Sequence, residues 1–320
     1  MRCHLAGLKW LQKVLGLLLL WPLAAFAEQP QVVASIKPLH SLVAGVMHGV
    51  GEPFLLIQGG ASPHEYSLRP SEVRTINGSA IVFWIGPALE SVLVKPLENA
   101  KAKTRSITLL AAPGVETLPL REGGVWESHA HDDKPTGHPA DHSHAHEPSR
   151  DAHIWLDPIN AIAMARRIVT VLGEVDSAHQ ADYERNGAAL IARLQHLNQQ
   201  LATELTPIKD RPYIVFHDAY QYFERRYGLN AVGSVVLNPD QRPGAKRVSE
   251  IQARIRNLNV RCVFSEPQFQ PALVETVIAG GSARRGVLDP LGSDLSAGVE
   301  AYFNLLQGLA HSLKTCLSGA

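Results

Sequence analysis

Hydrophobic residues in this chain fall into short continuous runs, separated by segments with helical spacing. QVVASI (31–36), FLLI (54–57), AIVFWIG (80–86) and RSITLL (105–110) are rich in branched and aromatic residues. PSEVRTIN (70–77) and PALESVLVKPLENA (87–100), lying between them, read as helices. Apolar runs without polar alternation predict strands buried on both faces, and intervening helices predict parallel pairing. The pattern restarts downstream. PYIVF (212–216), AVGSVVL (231–237), RCVFS (261–265) and RGVL (285–288) are the strands; DAYQYFERRY, GAKRVSEIQARIRN and ALVETVIAG are the helices. The predicted fold is α/β, with two Rossmann-like parallel-sheet lobes.

Between the two sets the chain is helical. Asp157 followed by Pro158 is a cap and first-turn pair, opening a helix to about Gly173. A second helix starts near Ser177. Leu190, Leu194, Leu197, Leu201 and Leu205 recur along it at steps of four, three, four and four. Over 177–205 it extends roughly 40 Å at 1.5 Å per residue, long enough to join two lobes as a strut. The expected organisation is a first lobe over 28–176, a linking helix over 177–206 and a second lobe over 207–320. Residues from about 123 to 151 break the pattern: Gly, Pro, His, Asp and Ser dominate, as in a solvated loop without a core of its own.

The first 27 residues stand apart. Arg2, Lys9 and Lys13 precede the apolar LGLLLLWPLAAF, and Ala25-Phe26-Ala27 is a cleavage pattern. We expect a signal peptide cut after Ala27, and an exported, soluble product. No Cys follows the apolar run, so no lipid anchor is expected. The 30 basic and 30 acidic residues balance, and no basic patch suggests nucleic acid as a partner. Cys3 leaves with the leader. Cys262 and Cys316 remain, an even pair in an oxidising compartment. A disulfide would tie the C-terminal helix to RCVFS; two buried free thiols are the alternative.

Histidine changes the picture. Of 15 histidines, His129, His131, His138, His142, His144 and His146 lie in the loop beside Asp132, Asp133, Asp141 and Glu147. Three others sit where parallel sheets place ligands, beyond strand ends. His64 lies in the loop after FLLI, His153 opens HIWLDP, and His217 follows PYIVF. If the lobes face each other, the three converge. Three neutral imidazoles and one remaining position suit tetrahedral zinc. Each alone is an ordinary boundary histidine, and the spacing is no motif. His40, at the end of the first strand, is a fourth candidate by the same logic. The loop histidines would form low-affinity collecting sites, or only a solvated linker.

GASPHEYSLRPSEV, HIWLDP, FHDAYQYFE, PGAKRVSEI, CVFSEPQF and LDPLG together resemble the zinc-binding periplasmic component of bacterial zinc ABC importers, in the cluster A-I (cluster 9) metal-binding family. The resemblance spans nearly the whole chain after the leader. It implies two α/β lobes on one long rigid helix, a His-rich loop before HIWLDP, and a periplasmic location. It implies zinc as the carried ligand, held by His64, His153 and His217. The implied partners are an inner-membrane permease with its ATPase and a periplasmic zinc chaperone, the protein itself acting as a monomer. Manganese-type relatives commonly carry a carboxylate where His217 stands, so the imidazole favours zinc over manganese or iron. For the fourth position, some zinc members place Glu before the first histidine, where this chain has Pro63. Others use the Asp of the LDP segment, here Asp289. Water is an equal option and Glu65 a weaker one.

Two rivals follow from the same residues. Three histidines plus water also describe a catalytic zinc site of a hydrolase, but HExxH is missing and Glu65 is the sole plausible nearby base. A metal-dependent adhesin would use the His-rich loop as its contact.

Overall fold

The computed structural model describes residues 30–100, 102, 104–121, 126, 150–236 and 243–319. The expected leader and the six loop histidines therefore lie outside the described residues. The first half contains β1 (Val32–Ala34), α1 (Lys37–Met47), β2 (Phe54–Leu55), α2 (Pro70–Gly78), β3 (Ile81–Trp84), α3 (Val94–Glu98) and β4 (Arg105–Thr108). Then come α4 (Pro158–Val175) and α5 (Gln180–Leu205). The second half contains β5 (Tyr213–Val215), α6 (Gln221–Tyr227), β6 (Ala231–Ser234), α7 (Ala245–Asn257), β7 (Cys262–Ser265), α8 (Ala272–Ile278), β8 (Arg284–Val287) and α9 (Ala301–Ser318).

The two sheets repeat one topology, β2-β1-β3-β4 and β6-β5-β7-β8, with every pairing parallel. All eight expected strands form, each within its apolar run or shifted by one residue. The central strands β1, β3, β5 and β7 are buried on both faces, as their unbroken apolar runs require. Val33, Val82 and Trp84 join Ile76 and Leu93 on the outer face of the first sheet. Val32, Ala34, Ile81 and Phe83 face inward. In the second sheet Ile214 and Val263 pack against Ile251 and Val274, on α7 and α8. Tyr213, Val215, Cys262 and Phe264 share the inward cluster with the first sheet. The two lobes thus share one core.

The linking helix is not a free strut. Leu190, Leu194, Leu197, Leu201 and Leu205 are all buried, each worth about 1.5–3 kcal/mol when fully removed from water. They pack α5 against α4, α1 and α9. Gly187 permits the closest approach. A Cβ there would lie 2.3 Å from Val169 Cγ2 on α4. Gly187→Ala gains about 1 kcal/mol of helix propensity, but overpacking against a stiff β-branched side chain costs about 1–3 kcal/mol. We expect a net loss of stability in urea denaturation, recovered by adding Val169→Ala. A more stable single variant would refute the close packing.

Two expectations need correction. His40 is not at a strand end: it lies inside α1, with Nε2 3.0 Å from the Pro53 carbonyl. All eleven residues of α1 are buried, so it has no polar stripe to announce a helix. The helix expected over 87–100 is broken into a 3-10 turn, Ser91–Leu93, and the short α3. Glu90 folds back there. Its carboxylate accepts from Ser35 Oγ and from the backbone N–H groups of Ile85 and Gly86.

Candidate metal centre

His64, His153 and His217 reach the cleft by three routes. His217 follows β5, the strand at which the second sheet reverses its order, so its side chain leaves at a switch point. His64 sits in the loop between β2 and α2, whose far end is fixed by Glu72. That carboxylate accepts from Arg69 N–H and Tyr66 O–H, both at 2.7 Å. His153 does not follow a sheet strand. It caps a 3-10 turn, Ile154–Leu156, that leads into Asp157 and α4. As expected, Asp157 caps α4, accepting from Ile159 N–H at 2.8 Å.

The three rings form a group whose ligand atoms all lie within 4.8 Å of one another. Nε2 of His153 and Nε2 of His217 are 3.4 Å apart. Zinc–nitrogen bonds of ~2.05 Å at tetrahedral angles require an N···N edge of roughly 3.3 Å. That pair already has the spacing zinc needs, and His64 completes a triangle with ring centroids 5.5 and 6.0 Å from the other two.

Two of the rings are oriented by carboxylates that the sequence reading did not assign. His153 Nδ1 is 2.7 Å from Asp151 Oδ1, and His217 Nδ1 is 2.8 Å from Glu266 Oε1. A proton held at Nδ1 leaves Nε2 with a free lone pair for a metal, and the carboxylate raises ring basicity. Both had a signal in the sequence. Asp151 lies two residues before His153, and Glu266 follows β7, the neighbour of β5, at the same sheet end as His217.

His153 is tied to the second half of the chain on both sides. Tyr222 O–H donates to the Asp151 carbonyl at 2.7 Å. Trp155 Nε1 donates to the Pro290 carbonyl at 2.8 Å, and Tyr302 O–H to the Trp155 carbonyl at 2.7 Å. Arg226 grips Asp157 through Nε and Nη2. Lys37 Nζ donates to the carbonyls of Gly292, Ser293 and Leu295. Arg121 bridges Asp218, next to His217, and Glu224.

Asp289 lies outside the three-histidine group. Its oxygens accept from the backbone N–H groups of Leu291, Gly292 and Ser293 and from Gln268 Nε2. Glu65 is exposed and faces a wider neighbouring groove of about 730 Å³. The space at the histidines themselves is small, about 10 Å³ for a water-sized sphere, walled by Pro63, Trp155, Gln268, Phe269 and Leu291. That is on the order of one water.

Burial and the two neighbouring imidazoles push the His64 pKa down to about 2. Burial, then His217, pushes His153 down to about 3. At His217 burial also works downward, but Glu266, with Asp218 and Asp151, outweighs it and lifts the pKa above 6.5. Two rings are therefore neutral at ordinary pH, and the third must lose a proton to bind a cation. Affinity should hold above the raised His217 pKa and fall below it, about tenfold per pH unit while one proton competes. Chelator competition from about pH 5 to 8 checks this; a flat profile would show that no ligand proton is displaced.

Fold and site together define a two-lobed α/β binding protein with a three-histidine group able to hold a metal ion. The family model described as ZnuA, zinc-uptake complex component A, periplasmic, matches residues 32–316. The chain belongs to this family. It is 45% identical over 309 residues to the high-affinity zinc uptake system protein ZnuA of Brucella suis biovar 1 (strain 1330), covering 91% of this chain and 92% of that protein. It is 36% identical over 319 residues to the protein of the same description from Yersinia pestis, covering 97% and 98%. A solved structure described as "Crystal structure of ZnuA" matches with a TM-score of 0.76 at 26% identity, covering 91% of this chain and all of that one. Membership makes the chain a component of an uptake system rather than an enzyme.

Proposed function

We propose that this protein captures Zn²⁺ in the periplasm and delivers it to an inner-membrane ABC permease driven by its ATPase. The observation that carries the reading is the convergence of His64, His153 and His217, two of them already at zinc spacing. Family membership supports the transport role. Zinc is the cargo, and the chain's part is to present three imidazoles in a small space. The site residues are His64, His153 and His217, with solvent rather than Asp289 at the fourth position, since the turn at 289–293 already uses the Asp289 carboxylate. We assign the first lobe to 28–176, the link to 177–206 and the second lobe to 207–320. The leader is cut after Ala27, and the protein acts as a monomer that a periplasmic chaperone can load. His129, His131, His138, His142, His144 and His146 act as a secondary collector.

The test is zinc titration of metal-free protein against a chelator of known affinity, with and without residues 129–146. We expect one tight site to survive the deletion and only weak sites to disappear. Loss of tight binding with the loop would overturn the three-histidine reading in favour of a loop-based zinc buffer.

A further inference from the structure

The wall of the metal cavity holds a polar atom with no assigned role. Gln268, two residues beyond Glu266, lines the cavity together with the three histidines. Its Nε2 donates to Asp289 Oδ1 and to Ser293 Oγ, each at 2.8 Å. Its Oε1 is buried and has no partner among the described residues. A buried amide oxygen without a hydrogen bond costs about 1–3 kcal/mol, and such atoms in native proteins are nearly always satisfied. Turning the amide over would not help. It would set Oε1 against the Asp289 carboxylate.

Resting on the zinc-capture reading above, we propose that Gln268 is a positioning residue for the fourth coordination position, its Oε1 accepting a hydrogen bond from a solvent molecule bound to the metal. Three histidines leave one tetrahedral position, and the cavity has room for about one water. A metal-bound water is a strong donor with no need for a charged acceptor, so a neutral amide oxygen holds it without removing its proton. Asp289 then acts at one remove. Pinned by the backbone of 291–293, it fixes which end of the Gln268 amide faces the metal. The arrangement keeps a fourth, exchangeable ligand on zinc. A cation demanding six oxygen-rich ligands would find a single solvent position and one amide oxygen, so the device also disfavours harder metals.

The experiment uses full-length mature protein loaded with Zn²⁺ or with Co²⁺ as a coloured substitute. Gln268→Met keeps volume and removes the acceptor; Ser293→Ala removes one Nε2 partner and keeps Oε1. We expect Gln268→Met to weaken zinc binding about tenfold, the scale of lost outer-sphere partners, and to shift the cobalt d–d bands. Thiocyanate should displace the solvent more readily from this variant than from wild type. Ser293→Ala should stay near wild type in all three. A Gln268→Met protein with wild-type affinity, bands and thiocyanate response overturns the proposal. A crystal structure of zinc-loaded wild type decides the matter even if the variant does not fold. Zinc-bound solvent about 2.5–3.0 Å from Oε1 supports it; a fourth protein ligand, or solvent turned away from Gln268, overturns it. Failure of wild type itself to bind zinc tightly would instead strike the capture reading.

Discussion

His217→Ala is expected to weaken zinc binding at least about 100-fold. Structural zinc sites are worth about 10–16 kcal/mol over four ligands, so one ligand contributes roughly 3 kcal/mol. The variant also leaves the Glu266 carboxylate, 2% exposed, without its imidazole partner. That residual charge could attract the cation but sits behind the lost ring, too far back to replace Nε2. Glu266→Gln keeps the ligand and loses only its orienting carboxylate, so its loss should be smaller, about 10- to 100-fold. Chelator competition on the two variants gives the ordering, and growth of a strain dependent on this protein under zinc limitation gives the consequence. Wild-type affinity in His217→Ala would remove the three-histidine site. Equal losses in both variants would show that Glu266 matters as much as the ligand itself.

The sheets are legible because their central strands are buried on both faces, which forces unbroken runs such as IVFW and CVFS. The α5 stripe was legible for the opposite reason: one face is buried and the other is solvated. α1 was not, because burial all round erases the period. At the site, topology pointed to His64 and His217 through the ends of β2 and β5, whereas His153 is placed by a turn and by bonds from Tyr222, Trp155 and Tyr302. Those bonds join residues far apart in sequence, and no local pattern announces them. The orienting carboxylates carry a weaker signal: Glu266 stands beyond the end of β7 just as His217 stands beyond the end of β5, but a lone carboxylate there does not announce a metal site.

The bonds across the cleft also bear on movement. His153 belongs by sequence to the first lobe but is held to the second by Tyr222 and by the 290–302 segment. Lys37 ties α1 to the same segment, and the inward core is common to both sheets. Wide separation of the lobes would break these bonds and open that core. The loop of His64 carries fewer ties: the Ser62 hydroxyl on His64 N–H and the Gln58 amide on Leu55 are local. Small adjustment of the 58–65 stretch is the motion that costs least at this site, since Tyr66 and Arg69 beyond it are held by Glu72.

Removing the disulfide should cost stability without comparable loss of zinc affinity. Cys262 on β7 and Cys316 on α9 are joined, at a sequence separation of 54. Both are buried. In the chain-entropy account, cross-linking a loop of that length stabilises by roughly 4 kcal/mol, chiefly by restricting the unfolded chain. The bond also secures α9 to the second sheet, while the other face of α9 packs on α1 and α5 of the shared core. Arg284, beside it, donates to the Cys316 carbonyl and gives the helix end a second hold. The metal centre lies at the opposite end of β7, beyond Ser265 and Glu266, so its geometry should outlast the lost bond. We therefore expect Cys262→Ala/Cys316→Ala to lose about 4 kcal/mol in urea denaturation and to keep zinc affinity within a few-fold of wild type while folded. Unchanged stability would mean that the packing of α9, not the bond, restrains the second lobe. A large loss of affinity in folded protein would mean that β7 transmits strain from the disulfide to Glu266.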